Sequence, residues 1–237
     1  MNTFKQYLIE AGQGAGQLEL VKTDVKKARE YAEKDFQKYD RDLDEQIPDF
    51  DKNYLFAQKQ AGSGKTQRKD MPVIEEKDVK DLQRRLENGH IDIKSPHPKN
   101  TKHPFPKGLT QQTGHQWLEN GLKRHDGSIK DDIVKVKMEQ VTVGSLHPIQ
   151  KQIYFDKSIN PIAENGAVKS KAFMTGKNTT FIMSKDHYII DGHHRFLASV
   201  LLDPTMKVNS LVIDLPIKDL LPLTLSYSDA VGNKRNA

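Results

Sequence analysis

Apolar and polar positions follow three patterns along this chain. Leu18, Val21, Val25, Ala28, Ala32, Phe36, Tyr39 and Leu43 recur at steps of three and four, with Lys, Glu, Asp and Arg between them. That spacing predicts one amphipathic helix over residues 12–46, with an apolar stripe narrow enough to need a partner surface on this chain or another. From Val134 the pattern changes to short strand-like runs, VKVKMEQVTV, TTFIMS, HYIID and VNSLVID. Turn chemistry at Asn165-Gly166, Lys185-Asp186 and Asp203-Pro204, and at least one helix, separate them. About 100 residues of alternating strand and helix make a compact α/β domain, expected here over 135–237. Residues 47–134 are poor in core positions and read as an irregular linker. One short helix is expected there from Lys77 to Asn88, with Val79, Leu82 and Leu86 on one face and Gly89 as its stop. Pro96, Pro98, Pro104 and Pro106 forbid a regular element between Ser95 and Gly108. Trp117 is the expected anchor of the middle segment.

Composition narrows the class. Hydrophobic residues make up 35% of the 237, below the roughly 45–50% of ordinary globular chains, so the core should not run through the whole length. With no cysteine, disulfides, thiol redox chemistry and cysteine zinc sites are excluded. No run approaches the roughly 18 apolar residues of a membrane helix, so no membrane partner is expected. The N-terminus lacks the apolar core of a secretory signal, which predicts a soluble protein that stays in the cytoplasm. The 37 Lys and Arg against 32 Asp and Glu give a net charge of +5, which permits contact with a polyanion without requiring it.

The densest chemistry lies at Tyr188-Ile-Ile-Asp191-Gly192-His193-His194-Arg195, followed by the apolar run Phe196 to Leu202. An apolar strand enters an Asp-Gly turn, and a helix begins at once. Gly192 permits a sharp turn and close backbone approach by a ligand. The free N–H groups of a helix start favour an anion. Arg195 adds a planar fork suited to phosphate oxygens. His193 and His194 supply candidate general bases or metal ligands near neutral pH. Asp191 has two candidate roles, holding a divalent cation or orienting a histidine.

This Asp-Gly-His-His-Arg turn resembles the ParB/sulfiredoxin superfamily, whose small mixed-sheet α/β domains bind a nucleotide at a Gly-x-x-Arg turn leading into a helix. The stretch from Val141 to Tyr154, with its Leu146-His147-Pro148-Ile149-Gln150, is similar to the family's opening strand and Pro-x-Gln segment. The likeness spans roughly residues 138–222. It implies an NTP (ATP or CTP) bound with Mg2+, and phosphoryl transfer or phosphate-bond cleavage. Gly192 to Arg195 would hold phosphates, Asp191 the cation or a base, and His193 or His194 would take the acceptor's proton. His147 and Gln150 would stand on the substrate side. The family's sulfinic-acid reductases carry a cysteine in this turn, so that activity is excluded. A DNA-directed role, as nuclease or nucleotide-gated clamp, is the first alternative, although no helix-turn-helix follows the turn.

Met1 to Ala11 forms a second signal, with Phe4, Tyr7, Leu8 and Ala11 on one helical face. It resembles the capsid-targeting peptides of internal head proteins of large tailed bacteriophages, which are cut after Glu in a Leu/Ile-x-Glu pattern. Leu8-Ile9-Glu10-Ala11 fits, which implies cleavage between Glu10 and Ala11, packaging in a phage head and injection with the genome. A packaged protein of this kind would act on a host target, with or without turnover. Ala61-Gly62-Ser63-Gly64-Lys65-Thr66 ends like a P-loop, but Lys59 stands where its first glycine belongs and no apolar strand precedes it. It reads as a flexible basic loop. His90, His97, His103, His115, His125 and His187 lack metal-ligand spacing.

Overall fold

A computed structural model of the chain describes residues 16–91, 93, 118, 130–177 and 179–233. The Met1–Ala11 peptide, the proline-rich stretch, Trp117 and His97, His103, His115 and His125 lie outside them. The apolar stripe expected as one helix is carried by three elements: a 3-10 turn at Leu20–Lys22, α1 at Val25–Gln37 and α2 at Leu43–Gln46. Asp24 and Asp42 make the breaks, each accepting a backbone N–H of the helix it precedes (Lys27, 2.9 Å; Glu45, 3.0 Å). A helix not anticipated from the sequence, α3 at Phe50–Ala61, buries Phe50, Tyr54 and Ala57. The short helix expected at 77–88 is α4, Glu76–Glu87, and Gly89 follows in the left-handed region at φ 63°.

The strand-like runs become β1 (Val136–Thr142), β3 (Thr180–Ser184), β4 (Tyr188–Asp191) and β5 (Lys207–Ile213), and β2 is the two-residue strand His147–Pro148. They form one mixed sheet in the order β1-β5-β3-β4-β2. β5 pairs parallel with β3 and β2 parallel with β4, while β1–β5 and β3–β4 are antiparallel. Helices α5 (Phe155–Asn165) and α6 (Ala167–Met174) precede β3, α7 (His193–Leu202) follows β4, and α8 (Ile217–Ala230) ends the described fold.

Alternation along the strands sends neighbouring side chains to opposite faces. Phe181, Met183 and Ile189 enter the core shared with α1, α3, α5 and α7. Ile182, Ile190 and Leu211 enter the core shared with α4 and α8. The N-terminal helices are therefore part of the layer that covers the sheet. The stripe finds its partner within this chain: Ala28, Ala32 and Phe36 are buried in one core with residues of α3 and α5, and beside them Tyr31 and Phe155 meet edge to face at 6.0 Å while the Tyr31 hydroxyl bonds Asn160. Among the described residues no helix is long and apolar enough to cross a membrane.

Candidate functional site

The β4–α7 turn takes the expected form. Gly192 has φ 111°, and a Cβ there would lie 2.8 Å from the Phe181 ring, so only glycine fits without strain. It is the N-cap of α7 and provides no side-chain cap. The helix then turns inward, with Phe196 to Leu202 all buried, which fixes His193, His194 and Arg195 in its first turn.

Both histidines are acceptors toward the chain itself. His193 is buried, and its Nε2 accepts the backbone N–H groups of Ile149 and Gln150, each at 3.2 Å. His194 Nε2 accepts the N–H of Tyr154 at 3.2 Å, and its ring lies nearly parallel to Tyr154, 12° apart with centroids at 6.2 Å. Both rings are therefore neutral, with the proton on Nδ1. Burial, and then Arg195, push His193 down to about 3. Burial holds His194 well below the usual imidazole range, with Arg68, Lys157 and His193 adding to the effect. The expected general-base role is corrected here: the lone pair a base would use is already occupied by main-chain donors.

Arg195 forms an ion pair with Asp191 through one terminal nitrogen of its fork, and its guanidinium lies 5.5 Å over the Phe181 ring. Asp191, expected at a cation or a base, is thus engaged by Arg195. Gln150 is close to the site but turns its side-chain amide onto the Gln152 carbonyl. His147 is at the far end. It pairs with Tyr188, three residues before Asp191, about 10 Å along an extended strand, and its ring faces Tyr188 at 5.2 Å. His147 is therefore not part of the cluster around Asp191, Arg195 and the two histidines.

Two residues not singled out from the sequence complete the cluster. Lys157, in the first turn of α5, places its ammonium 5.6 Å from the Tyr154 ring centre. Arg68 places its guanidinium 5.5 Å from the same centre. Both are buried, at 7% exposure each. Burial, reinforced by Arg68 and opposed by Asp156, lowers Lys157 to about 8. Burial also lowers Arg68, while the Tyr154 phenol opposes the shift. Tyr154 is itself the N-cap of α5, again without a side-chain cap. Two helix starts therefore converge on the Tyr154–His194 pair. Lys157 and Arg195 each stand third in a helix, where the dipole favours anions over cations.

The Gly64-Lys65-Thr66 segment, expected as a flexible loop, is ordered beside this site. Thr66 donates its N–H to Ile149 O (3.0 Å) and accepts from Lys151 N–H (2.7 Å), forming a parallel bridge to Gln150. Among the described residues, no three His, Asp or Glu side chains gather to hold a metal. Searched against known proteins, the chain matches no family model, no curated protein and no solved structure.

Proposed function

We propose that this chain binds the phosphate tail of a nucleotide, such as ATP or CTP, where the β4–α7 turn meets the start of α5. The observation that carries this reading is the convergence of positive charge on the Tyr154–His194 pair. Arg68 and Lys157 are both buried beside the Tyr154 ring, 5.5 and 5.6 Å from its centre, and the Tyr154–His194 pair lies at the N-cap of α5 and in the first turn of α7. A phosphate placed at helix N-termini beside cationic side chains is attracted by the dipoles and the charges together. Because these cations are buried, they suit a small polyanion better than the backbone of a duplex, which needs an exposed basic surface.

Within this reading Lys157 and the N–H groups of the turn contact phosphate oxygens. Asp191 orients the Arg195 fork, whose other nitrogens would take phosphate oxygens. These groups supply positioning and charge neutralisation, the main demands of phosphoryl transfer or phosphate-bond cleavage. A bound Mg2+ would neutralise charge between phosphate oxygens, and Asp191 is the carboxylate at hand. That carboxylate is already paired with Arg195, and among the described residues no three His, Asp or Glu side chains gather to hold a metal, so the residues do not make a cation site of their own.

Calorimetric titration with ATP and CTP, with and without Mg2+, tests this. Binding is expected. Lys157→Gln and Arg195→Ala should each weaken it about tenfold or more, the loss of one charge-assisted hydrogen bond. A folded wild-type protein that ignores both nucleotides, or binds duplex DNA with steep salt dependence instead, would refute the reading.

A further inference from the structure

Strand β1 is an outer strand of the sheet, and among the described residues it pairs only with β5. Asp214 donates its N–H to the Lys135 carbonyl, and Val143 donates to that of Met206, both at 2.9 Å. Residues of that parity therefore aim their main-chain groups at β5, while Val136, Met138 and Gln140 aim theirs away from the sheet. Side chains alternate between the two faces, yet Lys137, Met138, Glu139 and Gln140 are all exposed. Neither helix layer covers the middle of β1, and Met138 stands 55% exposed there as an apolar side chain on an open edge.

An edge with outward donors and acceptors is a template for another strand, which proline, bulges or charge of one sign usually discourage. The strand Val136–Thr142 has no proline, and its register with β5 is unbroken. Its two charges are opposite and share a face, with Lys137 Nζ 3.7 Å from Glu139 Oε1. That pattern selects one occupant, a second β1 running antiparallel. A two-fold axis at Val136, Lys137 or Glu139 would set like charges opposite each other, and one at Gln140 would leave both charges facing valine. An axis at Met138 sets Lys137 of each copy opposite Glu139 of the other on one face, and brings the two Met138 side chains together on the other face. Val136 then faces Gln140, and the outward groups exchange about six main-chain hydrogen bonds. We infer that β1 is a self-complementary edge through which two copies of this chain join their sheets, two-fold about Met138. The Val134 N–H is held by the Leu86 carbonyl, so pairing ends there. A zone this short falls below the roughly 800 Å2 per partner of a standard interface, so the dimer is weak and concentration-dependent.

Sedimentation of the full chain from micromolar to millimolar concentration tests this, and reversible dimerisation is expected. Glu139→Lys and Lys137→Glu each place like charges at both crossings and should raise the dimer dissociation constant about tenfold or more. The double exchange of the two residues should restore it. All these positions are exposed, so the variants should keep the fold, which circular dichroism checks. The chain has no cysteine, so one introduced thiol reports the register. Met138→Cys should form a disulfide dimer under mild oxidation, because facing Cα atoms of a hydrogen-bonded pair lie about 5.5 Å apart. Gln140→Cys, roughly 13 Å along the strand from its counterpart, should not. A wild type that stays monomeric at millimolar concentration overturns the inference. So does a double exchange that dimerises no better than the single changes, or Gln140→Cys cross-linking as readily as Met138→Cys.

Discussion

Acid should release the fold through His193. In the folded chain this imidazole is neutral, held near 3 against a usual 6.5 by burial and by Arg195. In the unfolded chain it titrates normally, so between those values the unfolded state binds more protons and stability falls as pH falls. The contribution is fully present above the unfolded value and is lost progressively below it. Each pH unit in this window is worth about 1.4 kcal/mol, so going from pH 7 to pH 5 removes about 2 kcal/mol through this residue. Protonating Nε2 would set a new N–H against the two main-chain donors it now accepts, at Ile149 and Gln150. Urea unfolding at both pH values measures the loss. His193→Gln retains an acceptor oxygen but does not titrate. The wild type should lose about 2 kcal/mol more than the variant over this interval. Equal losses in two folded proteins would refute the neutral, main-chain-bonded histidine.

Two further outcomes follow from the same geometry, and a third tests the likeness of residues 1–11 to a capsid-targeting peptide. Gly192→Ala, forced to positive φ with its methyl against Phe181, should destabilise by about 1–3 kcal/mol, read as a lower urea midpoint. An unchanged midpoint would contradict that turn. Nucleotide affinity should decline as pH rises through about 8, where Lys157 gives up its charge, and Lys157→Gln should flatten that profile. A chain recovered from phage particles should begin at Ala11 by mass spectrometry, and an intact Met1 would refute processing after Glu10.

The β-branched runs announced the strands, and the Gly-His-His-Arg sequence announced the turn, because both depend on neighbouring residues. Helix α3 was harder to see. Its buried face alternates Phe50 and Tyr54 with Ala57 and Ala61 and includes the polar Asn53, whose amide reaches the carbonyl of Leu201 at the end of α7. Small and polar residues of this kind allow close helix approach but carry little apolar signal. The stripe over 12–46 misled for the opposite reason. It continues across Asp24 and Asp42, and only those capping residues mark where one element stops and the next begins. Arg68 and Lys157 stand 89 positions apart and meet through the Thr66 bridge, a long-range contact that spacing along the chain does not encode. His193 and His194 were legible as site residues but not in their role, since only the fold shows which donors surround them.

That role explains why two histidines occupy this turn. Strand β2 ends at Pro148, so the N–H groups of Ile149, Gln150 and Tyr154 continue beyond it without a sheet neighbour on the β4 side. Main-chain donors in a buried segment require acceptors. Lysine and arginine have none to offer, whereas neutral imidazole presents one at Nε2 while its stem remains apolar enough for a helix start. Consecutive histidines in the first turn of α7 therefore take over the work of an absent strand and hold residues 149–154 in place. Tyr154 is fixed as the N-cap of α5, and Lys157 one turn later is fixed with it. On this view the histidines build the cationic cradle from behind, and the phosphate-facing chemistry falls to Arg68, Lys157 and Arg195. Removing His194 as an acceptor should then weaken nucleotide binding by displacing Tyr154. His194→Gln, which can still accept that N–H, should restore more affinity than His194→Ala, a ranking that a general-base role at His194 does not predict.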